Sequence, residues 1–272
     1  MTLPRTNRRS FLVGASAFVV AACSGSGDAA PEPAPLTTST TSTLAPTTTQ
    51  AGEAGNPFPS IPASFDEVEP LDVAWFELLP ICAIPPESTA GPFPTIEQLD
   101  RRDISEGYPG HPFRLGIRVV DAECSPLPGA EVEIWHTDAS GDYSSYLDEG
   151  SGKDEGEGTT FCRGFQTADA DGLLEFQTIY PGWYEGRAVH IHVRARVGGE
   201  EVLTTQLYFD EGYTEAVFDV EPYVEFGPPD TMWLDDPIAE DPIVDGSAIT
   251  LTAAMTTNGE GTLGLINLGL PV

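Results

Sequence analysis

Lysine is almost absent from this chain of 272 residues, in which Lys153 is the only one. Acidic residues number 43 against 12 basic ones, so the formal net charge at pH 7 is −31. A surface this negative repels nucleic acid and anionic lipid headgroups, which argues against both as electrostatic partners. The acidity favours solubility and by itself says nothing about a substrate.

Cysteine is also scarce, and the chain has only Cys23, Cys82, Cys124 and Cys162. None of them forms a C-x-x-C pair, which argues against a cysteine-bound zinc site. If Cys23 carries a lipid, the other three allow one disulfide and one free thiol in an oxidising compartment. Three pairings are then possible, and the sequence spacing does not choose between them.

The apolar run near the N-terminus, at 11–22, is too short to span a bilayer comfortably as a permanent helix. It follows Arg8 and Arg9, a twin-arginine pattern, and we predict that 1–22 is a signal peptide. The sequence Val-Ala-Ala before Cys23 resembles a bacterial lipobox, in which this cysteine is lipidated; the alternative is ordinary signal cleavage. We therefore expect export by the twin-arginine route, to the outer face of the cell membrane as a lipoprotein or into the medium. Membrane contact is expected only through the lipid on Cys23.

The next segment, 23–56, consists mostly of serine, threonine, proline, alanine and glycine. Such a composition buries too little apolar surface to offset the entropy lost on ordering. We predict a disordered tether here, followed by one folded domain at 57–272.

Within that domain the apolar segments are short, rich in β-branched residues and separated by turn residues. They predict strands at 113–120, 131–135, 173–179, 189–196, 201–209, 248–255 and 262–268. Helical periodicity is scarce, with short helical turns predicted only at 95–102 and 213–217. The pattern indicates an all-β protein, a β-sandwich of the prealbumin or immunoglobulin type, with a closed barrel as the alternative.

His190 and His192 are separated by one residue within a predicted strand. Residues i and i+2 of a strand lie on one face, so both imidazoles point the same way, with Ile191 on the other face. Two converging neutral imidazoles are a common start for a metal site, although two surface histidines produce the same pattern.

Two tyrosines near this strand, Tyr143 and Tyr180, are candidates to complete the coordination. A phenol titrates near pH 10 and is a poor ligand for divalent ions, whereas a trivalent ion such as Fe(III) binds phenolate strongly. Spacing alone does not select these two among the eight tyrosines of the chain.

Several motifs in order carry a family resemblance. They are Pro-Glu-Ser-Thr-Ala-Gly-Pro at 86–92, Ile-Trp-His-Thr-Asp-Ala-Ser-Gly-Asp-Tyr-Ser at 134–144, Thr-Ile-Tyr-Pro-Gly-Trp-Tyr-Glu-Gly-Arg-Ala-Val-His-Ile-His at 178–192, and Thr-Gln-Leu-Tyr-Phe at 205–209. The stretch from Pro86 to Tyr208 resembles the intradiol ring-cleavage dioxygenases, the family of catechol and protocatechuate dioxygenases. The secreted, single-chain branch is the most similar.

The resemblance implies a mononuclear Fe(III) site whose ligands match residue by residue: Tyr143, Tyr180, His190 and His192. Tyr184 is the rival to Tyr180, which we rank first because it directly precedes the proline of the motif. The resemblance also places Arg187 and Gln206 in the active site, where they stabilise developing negative charge, while Tyr180 is the displaceable ligand and a proton acceptor. His111 and His136 are not ligands in this interpretation.

The implied activity is cleavage of a catechol-type ring between its two hydroxylated carbons, with a small aromatic diol and O2 as substrates and a muconate-type diacid as product. The sequence leaves the natural catechol and the oligomeric state open. The alternative is a binding or structural β-sandwich module, anchored at the cell surface and without turnover.

Overall fold

The computed structural model describes residues 69–79, 84–91, 99–144, 158–239, 256–257 and 261–272. The chain divides into two units, Met1–Gly52 and Glu53–Val272, and all described residues belong to the second. The predicted signal peptide, the predicted tether and the predicted strand at 248–255 therefore lie outside the described residues.

The described residues form eight strands, most of them where the alternating apolar pattern predicts a strand. They are β1 (Pro112–Val120), β2 (Glu131–Trp135), β3 (Arg163–Thr167), β4 (Leu173–Ile179), β5 (His190–Val197), β6 (Glu200–Tyr208), β7 (Thr256–Thr257) and β8 (Thr262–Gly269). Strand β3 was not predicted, because its sequence Arg-Gly-Phe-Gln-Thr has a single large apolar residue.

The strands form two four-stranded sheets, with the orders β4-β1-β8-β7 and β3-β2-β5-β6. Strands β1 and β8 are parallel and the other neighbours are antiparallel. Alternate residues of both sheets fill one core; Leu115 and Ile117 from β1 and Ile191 and Val193 from β5 are fully buried in it. The predicted all-β sandwich is confirmed, with two separate sheets in place of a closed barrel.

Helices are few and short. The chain has α1 at Val73–Glu77, α2 at Glu211–Phe218 and a 3-10 helix at Tyr223–Phe226 within the described ranges. The predicted turn at 213–217 is the central part of α2, which Asp210 caps by accepting a hydrogen bond from the Tyr213 amide. The helical turn predicted at 95–102 is wrong in its described part, 99–102, where Asp100 forms a β-bridge with Phe165.

Two segments cover the outer faces of the sheets. Helix α1 packs its buried Phe76 against Leu263 and Leu265 of β8. Residues 84–91 follow the edge of β6, where Ser88 donates its amide hydrogen to the Thr204 carbonyl at 2.8 Å. The outer face of β5 is therefore buried near its start even though it points away from the core between the sheets.

The cysteines differ in state. Cys124 is disulfide-bonded, whereas Cys162 is a free thiol buried beside Phe161 and Ile179. A disulfide that includes Cys162, one of the possibilities left by the sequence, is therefore wrong. No helix in the described ranges has the length and apolar character needed to cross a membrane.

The connection after β2 and the connection after β4 meet at Gly182. The Gly182 amide donates to the Asp138 carbonyl at 2.9 Å, and the Thr137 hydroxyl donates to the Gly182 carbonyl at 2.8 Å. A Cβ on Gly182 would lie 2.6 Å from the Gly141 nitrogen. The two connections can approach this closely only because residue 182 has no side chain.

Gly182→Ala is expected to lower the free energy of unfolding by about 1–3 kcal/mol, because the new methyl group overlaps backbone atoms that cannot move independently. Urea unfolding followed by circular dichroism measures this change. Gly212→Ala, in the exposed first turn of α2, is the matched control and is expected to change the stability by at most about 1 kcal/mol. Equal stability of Gly182→Ala and the parent protein would contradict the steric argument.

Candidate metal centre

The two histidines of β5 converge on one point. The Nε2 atoms of His190 and His192 are 3.2 Å apart, and both side chains are buried. The Nδ1 atom of His190 lies 2.7 Å from the Ala188 carbonyl, which requires a proton on Nδ1 and leaves the Nε2 lone pair free. The Trp135 ring lies parallel to the His192 ring, with 4.9 Å between the ring centroids. These contacts fix both imidazoles with Nε2 directed at the same space.

Tyr143 brings a phenol oxygen to the same point. Its Oη lies 3.2 Å from His190 Nε2 and 3.1 Å from His192 Nε2. The loop that carries Tyr143 is held by Asp138, whose carboxylate accepts hydrogen bonds from the amide and the hydroxyl of Ser140. Hydrogen bonds within the loop thus direct a tyrosine from the β2–β3 connection towards β5.

Tyr184 supplies the fourth donor atom. Its Oη lies 3.3 Å from His190 Nε2, and its ring contacts that of Tyr143 at a centroid distance of 5.7 Å. Tyr184 is only partly buried, whereas Tyr143, His190 and His192 are at most 4% exposed. Of the four donors, it therefore faces the solvent most directly.

The two histidines and two tyrosines of the cluster are uncharged. Burial, reinforced by Arg187, lowers the pKa of His190 to about 3, and burial with the neighbouring His190 lowers the pKa of His192 well below its usual value. Burial also raises the pKa of Tyr143 and of Tyr184. Two neutral imidazoles and two phenols are consequently packed with their acceptor atoms facing one another.

The four donor atoms could hold a cation at their shared point, and the donor set indicates which kind it suits. The Nδ1 atom of His192 is buried and has no hydrogen-bond partner among the described residues, so neither tautomer of this ring is fully satisfied by them. Within the described ranges, no group of three or more histidine, cysteine and carboxylate side chains is arranged so that it could hold a metal ion. With two phenol oxygens beside two imidazoles, the set suits a hard trivalent ion such as Fe(III), which lowers the pKa of a phenol on binding.

Arg187 and Gln206 border the cluster. Arg187 Nη1 donates to Tyr184 Oη at 3.2 Å, and Nη2 donates to Gln206 Oε1 at 2.5 Å. Gln206 pairs with His192 across the β5–β6 ladder, and its Nε2 donates to the Thr89 carbonyl at 2.9 Å. The hydroxyl of Tyr208 donates to the same Gln206 Oε1 at 2.9 Å. A fixed positive charge is thereby held within one hydrogen bond of the donor cluster.

Comparisons with known proteins find similar sequences and a similar fold. The family model described as Dioxygenase matches residues 94–219. The solved structure of an intradiol ring-cleavage dioxygenase from Tetranychus urticae is 28% identical, covers 70% of this chain and 95% of its own, and has a TM-score of 0.61. Over these ranges the chain is similar to intradiol ring-cleavage dioxygenases.

Curated catechol and chlorocatechol dioxygenases match over a shorter stretch. Catechol 1,2-dioxygenase of Acinetobacter baylyi is 32% identical over 125 residues, which cover 39% of this chain and 39% of that protein. Chlorocatechol 1,2-dioxygenase of Rhodococcus opacus is 30% identical over 121 residues, or 38% of this chain and 45% of that protein. The chain therefore spans less than half the length of these two relatives.

One predicted ligand, Tyr180, is not brought to the cluster. Its hydroxyl pairs with Thr214 Oγ1 at 2.7 Å, and its ring is fully buried against Phe113 and Phe209. Tyr180 follows Leu174 and Phe176 at even spacing, so it points into the core between the sheets. His190 and His192 lie on β5 in the other sheet, on the face that points away from this core. Tyr184 takes the place that the sequence analysis assigned to Tyr180.

The other two histidines lie apart from the donor atoms, as expected. His111 Nε2 is 2.8 Å from Thr262 Oγ1. His136 is fully buried, with Nδ1 2.7 Å from the Thr137 carbonyl and Nε2 2.9 Å from Thr178 Oγ1. His136 therefore joins β2 to β4 beneath the centre.

The buried His136 predicts a loss of stability in acid. Burial lowers its pKa from 6.5 to about 4. As the pH falls from 6.5 towards 4, the unfolded chain binds a proton that the folded chain does not, so the free energy of unfolding decreases. Replacement by His136→Gln is expected to make this decrease shallower by on the order of 1 kcal/mol per pH unit.

Urea unfolding of the metal-free protein at several pH values measures this slope. Thr178→Val is the control, because it removes the partner of His136 Nε2 and keeps the titrating ring. It is expected to lower the stability and retain the slope. The same slope in His136→Gln and the parent protein would refute the assignment.

Proposed function

We propose that the protein is an Fe(III)-dependent dioxygenase that cleaves catechol-type rings between the two hydroxylated carbons. The carbon–carbon bond breaks, each of the two carbons gains one atom of O2, and the product is a muconate-type diacid. The convergence of Tyr143, Tyr184, His190 and His192 on one point carries this proposal. The similarity to intradiol ring-cleavage dioxygenases supports it.

Fe(III) held by these four side chains would supply a Lewis acid towards a catechol-type substrate. Tyr184 is the most exposed of the four donors, and its oxygen is the one that an incoming diol reaches first. We assign to Tyr184 the role of accepting a proton from the substrate hydroxyl, the role that the sequence analysis had assigned to Tyr180.

Arg187 has two tasks in this scheme. Its Nη1 donates to Tyr184 Oη, which stabilises the phenolate form of that tyrosine. Its guanidinium cannot lose its proton under these conditions and therefore provides a permanent positive charge beside the reacting ring. Gln206 is bonded to Nη2 of the same guanidinium and keeps its plane turned towards β6.

Gly91 forms part of the space beside the histidines. A Cβ at this position would lie 3.3 Å from His192 Cε1, and the backbone φ of 67° is one that glycine adopts readily. The lack of a side chain at residue 91 lets this backbone segment approach the His192 ring closely.

Oxygen uptake by the iron-loaded protein, measured against a panel of substituted catechols with identification of the products, tests the proposed activity. We expect equal consumption of O2 and catechol, a ring-opened diacid and a burgundy colour from charge transfer between tyrosinate and Fe(III). An iron-replete protein that is colourless would contradict the proposal. A coloured protein that binds catechols without turnover would instead favour a binding module.

Substitution of each tyrosine in turn tests whether Tyr184 or Tyr180 is the metal ligand. Tyr184→Phe is expected to weaken the charge-transfer band and to lower kcat/KM by about 10²-fold or more, because a ligand and a proton acceptor are both lost. Tyr180→Phe, the matched control, removes one buried hydroxyl–hydroxyl contact and is expected to cost about 1 kcal/mol of stability. Its colour and turnover should equal those of the parent protein, and the reverse pattern would restore Tyr180 as the ligand.

The proposed location is extracytoplasmic, on the basis of the twin-arginine pattern and the lipobox. Cys23→Ser is expected to move the protein from the membrane fraction to the soluble exported fraction, because the thiol that carries the lipid is lost. Lys substitution of Arg8 and Arg9 together should retain it in the cytoplasm. Fractionation followed by immunodetection measures both, and an unchanged membrane fraction with Cys23→Ser would rule out the lipid anchor.

A further inference from the structure

Asp236 is a buried carboxylate that lies outside the region matched by the family model, which ends at residue 219. It is 4% exposed and belongs to the segment that follows the 3-10 helix. Neither the sequence motifs nor the family match assigns it a role. Its hydrogen bonds nevertheless lead directly to the donor cluster.

The Asp236 carboxylate is bonded on both sides. Arg187 Nε lies 3.0 Å from Oδ1 and 2.9 Å from Oδ2. The Ala188 amide donates to Oδ2 at 2.9 Å, and the Ile238 amide donates to Oδ1 at 2.8 Å. A third amide, that of Ala239, donates to Oδ1 at 3.3 Å. The carboxylate is thus fixed by its own segment and binds both the side chain of Arg187 and the residue after it.

A guanidinium is planar, so fixing Nε fixes the directions of both Nη atoms. With Nε on Asp236, Nη1 points to Tyr184 Oη and Nη2 points to Gln206 Oε1. Without the carboxylate, the buried guanidinium would have to turn towards another acceptor or towards solvent, because an unpaired buried charge is costly. The orientation of Arg187 towards the cluster therefore depends on Asp236.

Two further hydrogen bonds join the segment that contains Asp236 to the loop that contains Tyr184. Trp183 Nε1 donates to the Gly227 carbonyl at 3.0 Å, and the Gly186 amide donates to Asp230 Oδ1 at 3.2 Å. Residues on either side of Tyr184 are therefore held by residues 227–236. Within this segment, Asp236 is the residue that bonds a side chain bordering the donor atoms.

We propose that Asp236 is a positioning residue that holds Arg187 at the angle at which it meets Tyr184 and Gln206. The segment that follows the 3-10 helix thereby completes the centre. The effect on turnover rests on the proposed function, whereas the anchoring of Arg187 does not.

A double-mutant cycle tests whether Asp236 acts through Arg187. In the iron-loaded protein, Asp236→Asn is expected to lower kcat/KM by about 10–100-fold, since small displacements of a positioned group cost up to about 10²-fold. In an Arg187→Ala background the same substitution is expected to change kcat/KM by less than about twofold, because its target is already absent. Losses that multiply in the double variant would overturn the proposal.

A measurement on the metal-free protein tests the anchoring of Arg187 independently of enzyme activity. Asp236→Asn is expected to speed hydrogen exchange of the Arg187 Nε proton, followed by nuclear magnetic resonance. Glu175→Gln is the control, since it breaks a comparable buried pair with Arg114, 2.6 Å long, on the other sheet. Unchanged exchange in Asp236→Asn, or equal acceleration in Glu175→Gln, would overturn the proposal.

Asp236→Glu provides a second test if the Asp236→Asn variant does not fold. It keeps the charge, and its extra methylene group shifts the carboxylate relative to Arg187. We expect a folded protein with kcat/KM reduced severalfold and an altered charge-transfer band, and unchanged values of both would overturn the proposal. A parent protein without turnover would contradict the proposed function, while the exchange of the Arg187 proton would still test the anchoring.

Discussion

The side-chain alternation of strand β5 is the constraint on which the centre depends. Ile191 and Val193 are buried between the sheets, and this burial fixes which face of the strand turns inward. His190 and His192 are then forced onto the other face, with their Nε2 atoms 3.2 Å apart. A shift of the register by one residue would put both imidazoles into the apolar core and both aliphatic side chains outside. Core packing thereby determines the geometry of the donor pair.

The two tyrosines of the cluster are placed by a different kind of interaction. Both belong to loops, and hydrogen bonds around Gly182 join these loops to each other. Because the loops meet at backbone atoms, Tyr143 and Tyr184 keep a fixed separation although they come from distant parts of the sequence. Burial keeps the phenols and imidazoles neutral, so the four side chains present an uncharged set of donor atoms that would suit a cation.

Much of the fold could be predicted from periodicity, since six of the predicted strands are observed within one or two residues of their expected ends. Strand β3 was not predicted, because one phenylalanine among polar residues makes no alternating pattern. Helix α1 is five residues long and is stabilised by packing against β8, which local sequence does not report. The alternation that correctly placed His190 and His192 also contained the signal against Tyr180, which shares the parity of Leu174 and Phe176.

The sequence by itself determined the strand pattern, the paired imidazoles and the family motifs, because each is a local or ordered property of the chain. Only the tertiary structure decided that Tyr184, and not Tyr180, meets the histidines. It also decided that Asp236 holds Arg187. Both outcomes depend on how separate loops pack against one another, and residue types alone do not specify this packing. The charged and phenolic groups were visible in the sequence, but their distances were not.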